Sequence, residues 1–194
     1  MRMIRGAVMW TVLGLLWAPA AYAEGADSTA ADPHAVMPER PTVATHAHTV
    51  APGWVELEAG VERDHISTSD RALLIGTVTK VGVSKRIQLD VNLGGARLDS
   101  GTESTSGFGD ASLAIKWRFA EGVRVLGDVA VQPTLKFPTG DVARGTGTGT
   151  TDVSLLAISS HVYGDYSLDV NAGWTHRSGE GADAPREATL WTAS

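Results

Sequence analysis

Asp110-Ala111-Ser112-Leu113-Ala114-Ile115-Lys116-Trp117-Arg118-Phe119 alternates without a break. Ala111, Leu113, Ile115, Trp117 and Phe119 occupy one set of positions; Asp110, Ser112, Lys116 and Arg118 occupy the other. A period of two places these sets on opposite faces of a β-strand, one apolar and one charged. A helix would scatter the same residues around its circumference. The stretch therefore predicts a strand that separates an apolar environment from a polar one.

The same pattern extends in both directions. Upstream, Val55, Leu57, Ala59 and Val61 oppose Glu56, Glu58 and Glu62, and Leu73 to Val83 oppose Lys80. Ile87, Leu89, Val91 and Leu93 oppose Gln88, Asp90 and Asn92. Downstream, Val123, Val125, Val129, Val131, Leu135 and Phe137 oppose Arg124, Asp128, Gln132 and Lys136. A less regular strand spans 152–163, Tyr166 to Trp174 oppose Ser167, Asp169 and Asn171, and an eighth strand begins near Glu187. Short connections are expected at Ser84-Lys85-Arg86, Ala120-Glu121-Gly122 and Gly164-Asp165, where Gly suits a tight hairpin. Long polar connections are expected at 64–70, 99–107, 139–150 and 178–185.

Short turns at one end and long loops at the other are the pattern of an antiparallel transmembrane β-barrel built as a meander of hairpins. Folding about the turns pairs Lys80 with Asp90, Phe119 with Val123, Trp117 with Val125, Tyr163 with Tyr166, and Leu155 with Trp174. The aromatics fall near strand ends. Trp54, Trp117, Phe119, Tyr163 and Tyr166 lie beside the short turns, and Phe108, Phe137 and Trp174 near the long loops. Such girdles are what a lipid interface selects, whereas a soluble sandwich would distribute its aromatics through a core.

Composition and the N-terminus agree. Arg2 and Arg5 precede an apolar run from Ala7 to Ala18, and Ala21-Tyr22-Ala23 matches a signal-peptidase site. The run is shorter than the ~20 residues of a spanning helix. Residues 1–23 are thus expected to be a cleaved export signal, 24–52 an extended or disordered periplasmic lead-in, and 53–194 a partial barrel in a Gram-negative outer membrane. The last strand stops at Ser194, so the chain is expected to be incomplete at its C-terminus. The absence of cysteine excludes disulfides, thiol nucleophiles and thiolate metal sites. A net charge of −6 with no basic stripe argues against nucleic acid.

Glu39-Arg40-Pro41-Thr42, Thr49 to Glu58, Gly107 to Trp117, and Leu135-Lys136-Phe137-Pro138-Thr139-Gly140-Asp141, with the Gly-Thr run before Thr151-Asp152-Val153, resemble stretches of the MetA-pathway phenol-degradation family of transporter-like outer-membrane proteins. The resemblance implies passage of small, often aromatic compounds across the outer membrane. It carries over no binding residues.

No catalytic, cofactor or metal site is expected. His46-x-His48 with His34 lacks the carboxylate or thiolate partners of a good metal site. The Gly-Thr alternation at 146–151 lacks the Lys and following helix of a phosphate loop. His161 and Ser160 would face opposite sides of one strand, which spoils a catalytic pairing. The candidate lumen lining is Glu56, Glu58, Lys80, Asp90, Asp110, Lys116, Arg118, Arg124, Asp128, Lys136 and Asp169. Its charges either fill the interior by pairing or tune a pore. The functional expectation is a channel or transporter for small hydrophobic or aromatic solutes, not an enzyme, with lipid and solutes as partners. A closed structural or adhesive barrel and a barrel lipid hydrolase are the alternatives.

Overall fold

The computed structural model describes residues 36, 38, 39, 43–178 and 186–194. The expected signal sequence, His34 and nearly all of the 178–185 connection lie outside them. The described strands are β1 (Val55–His65), β2 (Asp70–Ser84), β3 (Ile87–Ser100), β4 (Glu103–Phe108), β5 (Ala111–Val123), β6 (Gly127–Phe137), β7 (Thr151–Tyr163), β8 (Tyr166–Ser178) and β9 (Glu187–Ala193). No described residue is helical. All pairings are antiparallel, in the order β1-β2-β3-β5-β6-β7-β8-β9, with β4 beside β3. The result is an all-β meander, an open curled sheet with the form of a half-barrel.

The two faces of this sheet reverse the usual distribution. Ile75, Leu93, Leu113, Ile115, Trp117, Leu135, Val153, Leu155 and Trp174 are exposed on the convex face. The largest side chains below 2% exposure are Lys80, Lys116, Ile158, Gln88 and Asp90, on the concave face. Charged residues almost never become fully buried in a water-soluble domain unless paired, and such a domain seldom exposes so continuous an apolar surface. Local pattern explains the orientation: each strand keeps its period of two, so every odd-numbered residue of β2 and β3 from 71 to 99 faces outward.

Most of the expected registers hold. Lys80 lies opposite Asp90, Tyr163 opposite Tyr166, and Leu155 opposite Trp174. The β5–β6 hairpin differs. β5 runs on to Val123, the turn is at 124–126, and Trp117 pairs with Val131 rather than Val125. Val123 pairs with Gly127, not Phe119. Two irregularities between Arg118 and Val123 absorb the shift, and the Asp128 carboxylate accepts a hydrogen bond of 2.9 Å from the Gly122 amide. Glu121-Gly122 therefore forms a bulge, and Gly127, at φ 64°, completes the true turn.

Of two further expected loops, 99–107 is largely strand and 64–70 is shortened at both ends. β3 continues to Ser100, and β4 returns from Glu103 after a tight turn at Gly101, φ 59°. β1 reaches His65 and β2 starts at Asp70, leaving only 66–69 between them. These extensions have no apolar face, so alternation could not reveal them. The 138–150 connection is a loop.

β4 and β5 cover successive halves of β3. Gly95 pairs with Phe108, and Asn92 with Ser112. Between these pairs the second strand has one residue more than β3, which reverses its facing. Phe108 points outward with Gly95, whereas Asp110 reaches the concave side.

Candidate functional site

The candidate site is the concave face, together with the segment that crosses it. Residues 43–52, expected to be a solvated lead-in, pack against the sheet: Ala44 and Ala47 are buried at 2% and 0% exposure. An extended chain with no adjacent strand has backbone groups that must find other partners. Inward side chains of the sheet supply them. The Thr45 amide donates to Asn171 Oδ1, and Asn171 Nδ2 donates back to the Thr45 carbonyl, each at 2.8 Å. The Ala47 amide donates to Ser160 Oγ at 2.8 Å, and that hydroxyl donates to Asp169 at 2.5 Å. The Val50 amide donates to Gln88 Oε1 at 2.8 Å. Ala47 also packs on Ala130, Ile158 and Leu156, a small apolar cluster within the polar face.

Gly82 is the point of closest approach. A Cβ there would overlap the carbonyl oxygens of Val50 and Ala51. Just beyond, the Gly53 amide donates to Gly82 O at 2.7 Å and the Gly82 amide to Trp54 O at 3.0 Å, feeding the segment into β1.

Charge pairing reinforces the seat. Lys80 lies 3.1 Å from Glu56 and 3.7 Å from Glu39, and it also bonds Glu58. Lys116, fully buried, bonds Glu39 and donates to the His46 carbonyl at 3.1 Å. Glu39 thus bridges two buried ammonium groups on β2 and β5, and its amide donates to Glu58 at 3.0 Å. Burial works to raise the Glu39 pKa, but Lys116 and Lys80 outweigh it and hold the carboxyl below its ordinary value of 4.5. Asp90 accepts from Gln88 at 2.7 Å and Gln132 at 3.0 Å. Its carboxylate is satisfied by amides, although Lys80 lies opposite it in the ladder.

Towards the long-loop end a second cluster forms around Lys136, 3.2 Å from Asp110 and 2.8 Å from Asp152. Asp152 is also 3.8 Å from Arg177. The 138–150 loop folds back here, its Gly140 and Thr148 amides each donating to the Asp110 carboxylate at 2.9 Å. At the short-turn end Arg118 lies 3.3 Å from Asp128 and donates to the Lys85 carbonyl at 2.7 Å.

Nine of the eleven expected lining residues take part in these three groups, and Asp169 joins the seat through Ser160. Arg124 does not: it sits exposed in the β5–β6 turn, because β5 is longer than expected. Gln88, Gln132 and Asn171 join the site from polar positions of recognised strands, and Asp152, Ser160 and Arg177 from positions that alternation marked weakly. Glu39 carried no periodic signal. Trp54, Trp117, Phe119, Phe137, Tyr163, Tyr166 and Trp174 are all exposed, and the Trp117 and Phe119 rings lie 5.7 Å apart. The His46 and His48 rings lie 5.5 Å apart, tilted at 45°, and no group of three potential metal ligands occurs among the described residues. Ser160 faces the crossing segment, whereas His161 packs on Tyr163 at 4.0 Å.

The arrangement holds a chain segment against the polar face of the sheet through its backbone amides and a few charge-assisted contacts. A family model described as "Putative MetA-pathway of phenol degradation" matches residues 39–193. No curated protein matches the sequence.

Proposed function

We propose, from the premise that the chain belongs to the family described as "Putative MetA-pathway of phenol degradation", that it is an outer-membrane channel or transporter for small hydrophobic or aromatic compounds. The observation that carries this reading is the inverted sheet, with exposed aliphatic and aromatic side chains outside and buried ion pairs inside. Lipid would cover the convex face, and the aromatics expected in the girdles would lie at its two interfaces. The polar face would line the path, with selection made by its paired charges rather than by covalent chemistry.

On this reading the crossing segment is the closed state of the path. A solute passes only after residues 43–52 shift, since their backbone occupies the space between Asn171, Ser160 and Gln88. The signal-like N-terminus supplies export, and neither cofactor nor metal is required.

The test uses the complete gene product refolded into vesicles. Insertion should give a gel mobility that changes on boiling, and the vesicles should pass phenol-sized aromatics faster than empty ones. Insertion without added flux or conductance would favour the closed structural barrel. A soluble product without a mobility change would overturn the membrane reading.

A further inference from the structure

The convex face carries a groove where β3, β4 and β5 meet. Its lower part, about 560 Å³, is lined by Ile75, Thr77, Leu93, Phe108 and Ala111 around Gly94 and Gly95. It continues upward, sharing Ile75, Gly95, Phe108 and Thr139, into a space of about 630 Å³ bounded by Arg97, Asp141 and Arg144. The depression follows from sequence. Gly95 and Ala111 are small where neighbouring outward positions are large, and the extra residue at Gly109-Asp110 turns Phe108 outward as one wall. Phe108 is 85% exposed. A third space, next along the rim, is lined by Arg71 and again by Arg97, with the carboxylates of Asp99 and Glu103 beside them.

An apolar trough lies beneath three guanidinium groups interleaved with the carboxylates of Asp99, Glu103 and Asp141, and it matches a ligand with an acyl chain and an anionic head able to displace those carboxylates. Arg97 pairs with Asp99 through Nε at 3.2 Å, and Arg144 with Asp141 through Nε at 3.3 Å. Both side chains remain about 60% exposed (59% and 61%). Ion pairs so exposed contribute little and yield readily to a stronger acceptor, and a phosphate can take two guanidinium N–H groups at once, where Asp99 and Asp141 each engage Nε. Arg97 borders both upper spaces, so the rim suits a head bearing more than one phosphate. The site also lies at the long-loop end, which in an outer-membrane barrel faces the outside.

We propose that this groove binds a phosphorylated glycolipid of the outer leaflet, of lipid A chemistry. One acyl chain lies along Ile75, Leu93 and Phe108, and the phosphates rest on Arg97 and Arg144 with Arg71 beside them. The site rests on the membrane reading above and would tie the barrel to one leaflet.

The experiment is native mass spectrometry of the full-length protein released from detergent after incubation with lipid A or its dephosphorylated form. Wild type should retain lipid A about tenfold better than the dephosphorylated form, in line with charge-assisted binding. Arg97→Gln/Arg144→Gln should lose that preference, and Ala111→Phe should lose binding by filling the trough while leaving the arginines in place. Equal retention of both lipids by wild type, or of lipid A by wild type and the double variant, would overturn the proposal. Insertion into phosphatidylcholine vesicles is measured on the same preparation. Protein that inserts but does not discriminate refutes the groove alone, whereas protein that fails to insert refutes the membrane reading and the groove with it.

Discussion

Lys116→Met separates the crossing segment from the wall that holds it. Lys116 is fully buried, and the polar contacts of its ammonium are with Glu39, the His46 carbonyl at 3.1 Å and the Thr45 hydroxyl at 3.5 Å. All three lie ahead of β1, two of them in the crossing segment and Glu39 four residues before it, and none belongs to the sheet. Methionine keeps most of the volume and the unbranched stem but removes the charge. Glu39 then has Lys80 as its remaining ammonium, 3.7 Å away and already shared with Glu56 and Glu58. Two charges 4 Å apart interact by about 4 kcal/mol at an effective dielectric near 20. Breaking a buried pair by removing one member typically costs about 3–5 kcal/mol.

The segment can escape this cost by leaving its seat, so the loss should appear as local opening before it appears as unfolding of the sheet. The chain has no cysteine, and Ala44→Cys therefore introduces a single buried thiol. Its maleimide labelling rate in the refolded full-length protein reports opening. Lys116→Met should raise that rate on the order of a hundredfold or more, at 1.4 kcal/mol per decade, until the fully open rate is reached. Adding Glu39→Gln should recover much of the protection, because the orphaned charge is removed. A rate within threefold of the parent for Lys116→Met would refute the argument that this pair seats the segment.

Three further outcomes follow from the same contacts. The Glu39 carboxyl is depressed, so its contribution to seating is complete above its ordinary 4.5 and is lost as pH falls through the lowered value; because maleimide captures the thiolate, the Ala44→Cys rate is taken relative to the same protein unfolded in urea at each pH, and that ratio should be flat from neutrality to about pH 5 and rise below it. Gly82→Ala places a methyl against the Val50 and Ala51 carbonyls, so labelling should increase while the circular dichroism of the sheet is retained. Ile115→Arg tests the environment of the convex face, where Ile115 is 46% exposed. In water such a change stays within about 0.5 kcal/mol, but near a bilayer midplane it costs about 2–4 kcal/mol, a difference that urea titration in vesicles resolves.

The strands and their facings were legible in the amino-acid order because a period of two is local information. Lys80, Asp90, Lys116 and Lys136 declare the polar face by sitting opposite Ile75, Leu93, Ile115 and Leu135 along the chain. The same logic read two hairpins correctly, at Lys85-Arg86 and Gly164-Asp165. It failed where no face is apolar, as in β4, and where a bulge substitutes for a turn, as at Glu121-Gly122. The sidedness of Arg124 went astray with that turn.

What periodicity could not supply was the partner of each inward group. Glu39 and Lys116 stand far apart in sequence, as do Thr45 and Asn171, and nothing local links them. Residues 43–52 have no alternation, because an extended segment held by side chains rather than by a neighbouring strand needs none. The sheet alone decides that it is seated, by presenting Asn171, Ser160, Gln88 and two buried ammonium groups to a backbone that would otherwise be left unsatisfied. Alternation along a strand is set by adjacent residues, whereas satisfaction of buried polar groups is set by whichever residues the fold brings within hydrogen-bonding distance.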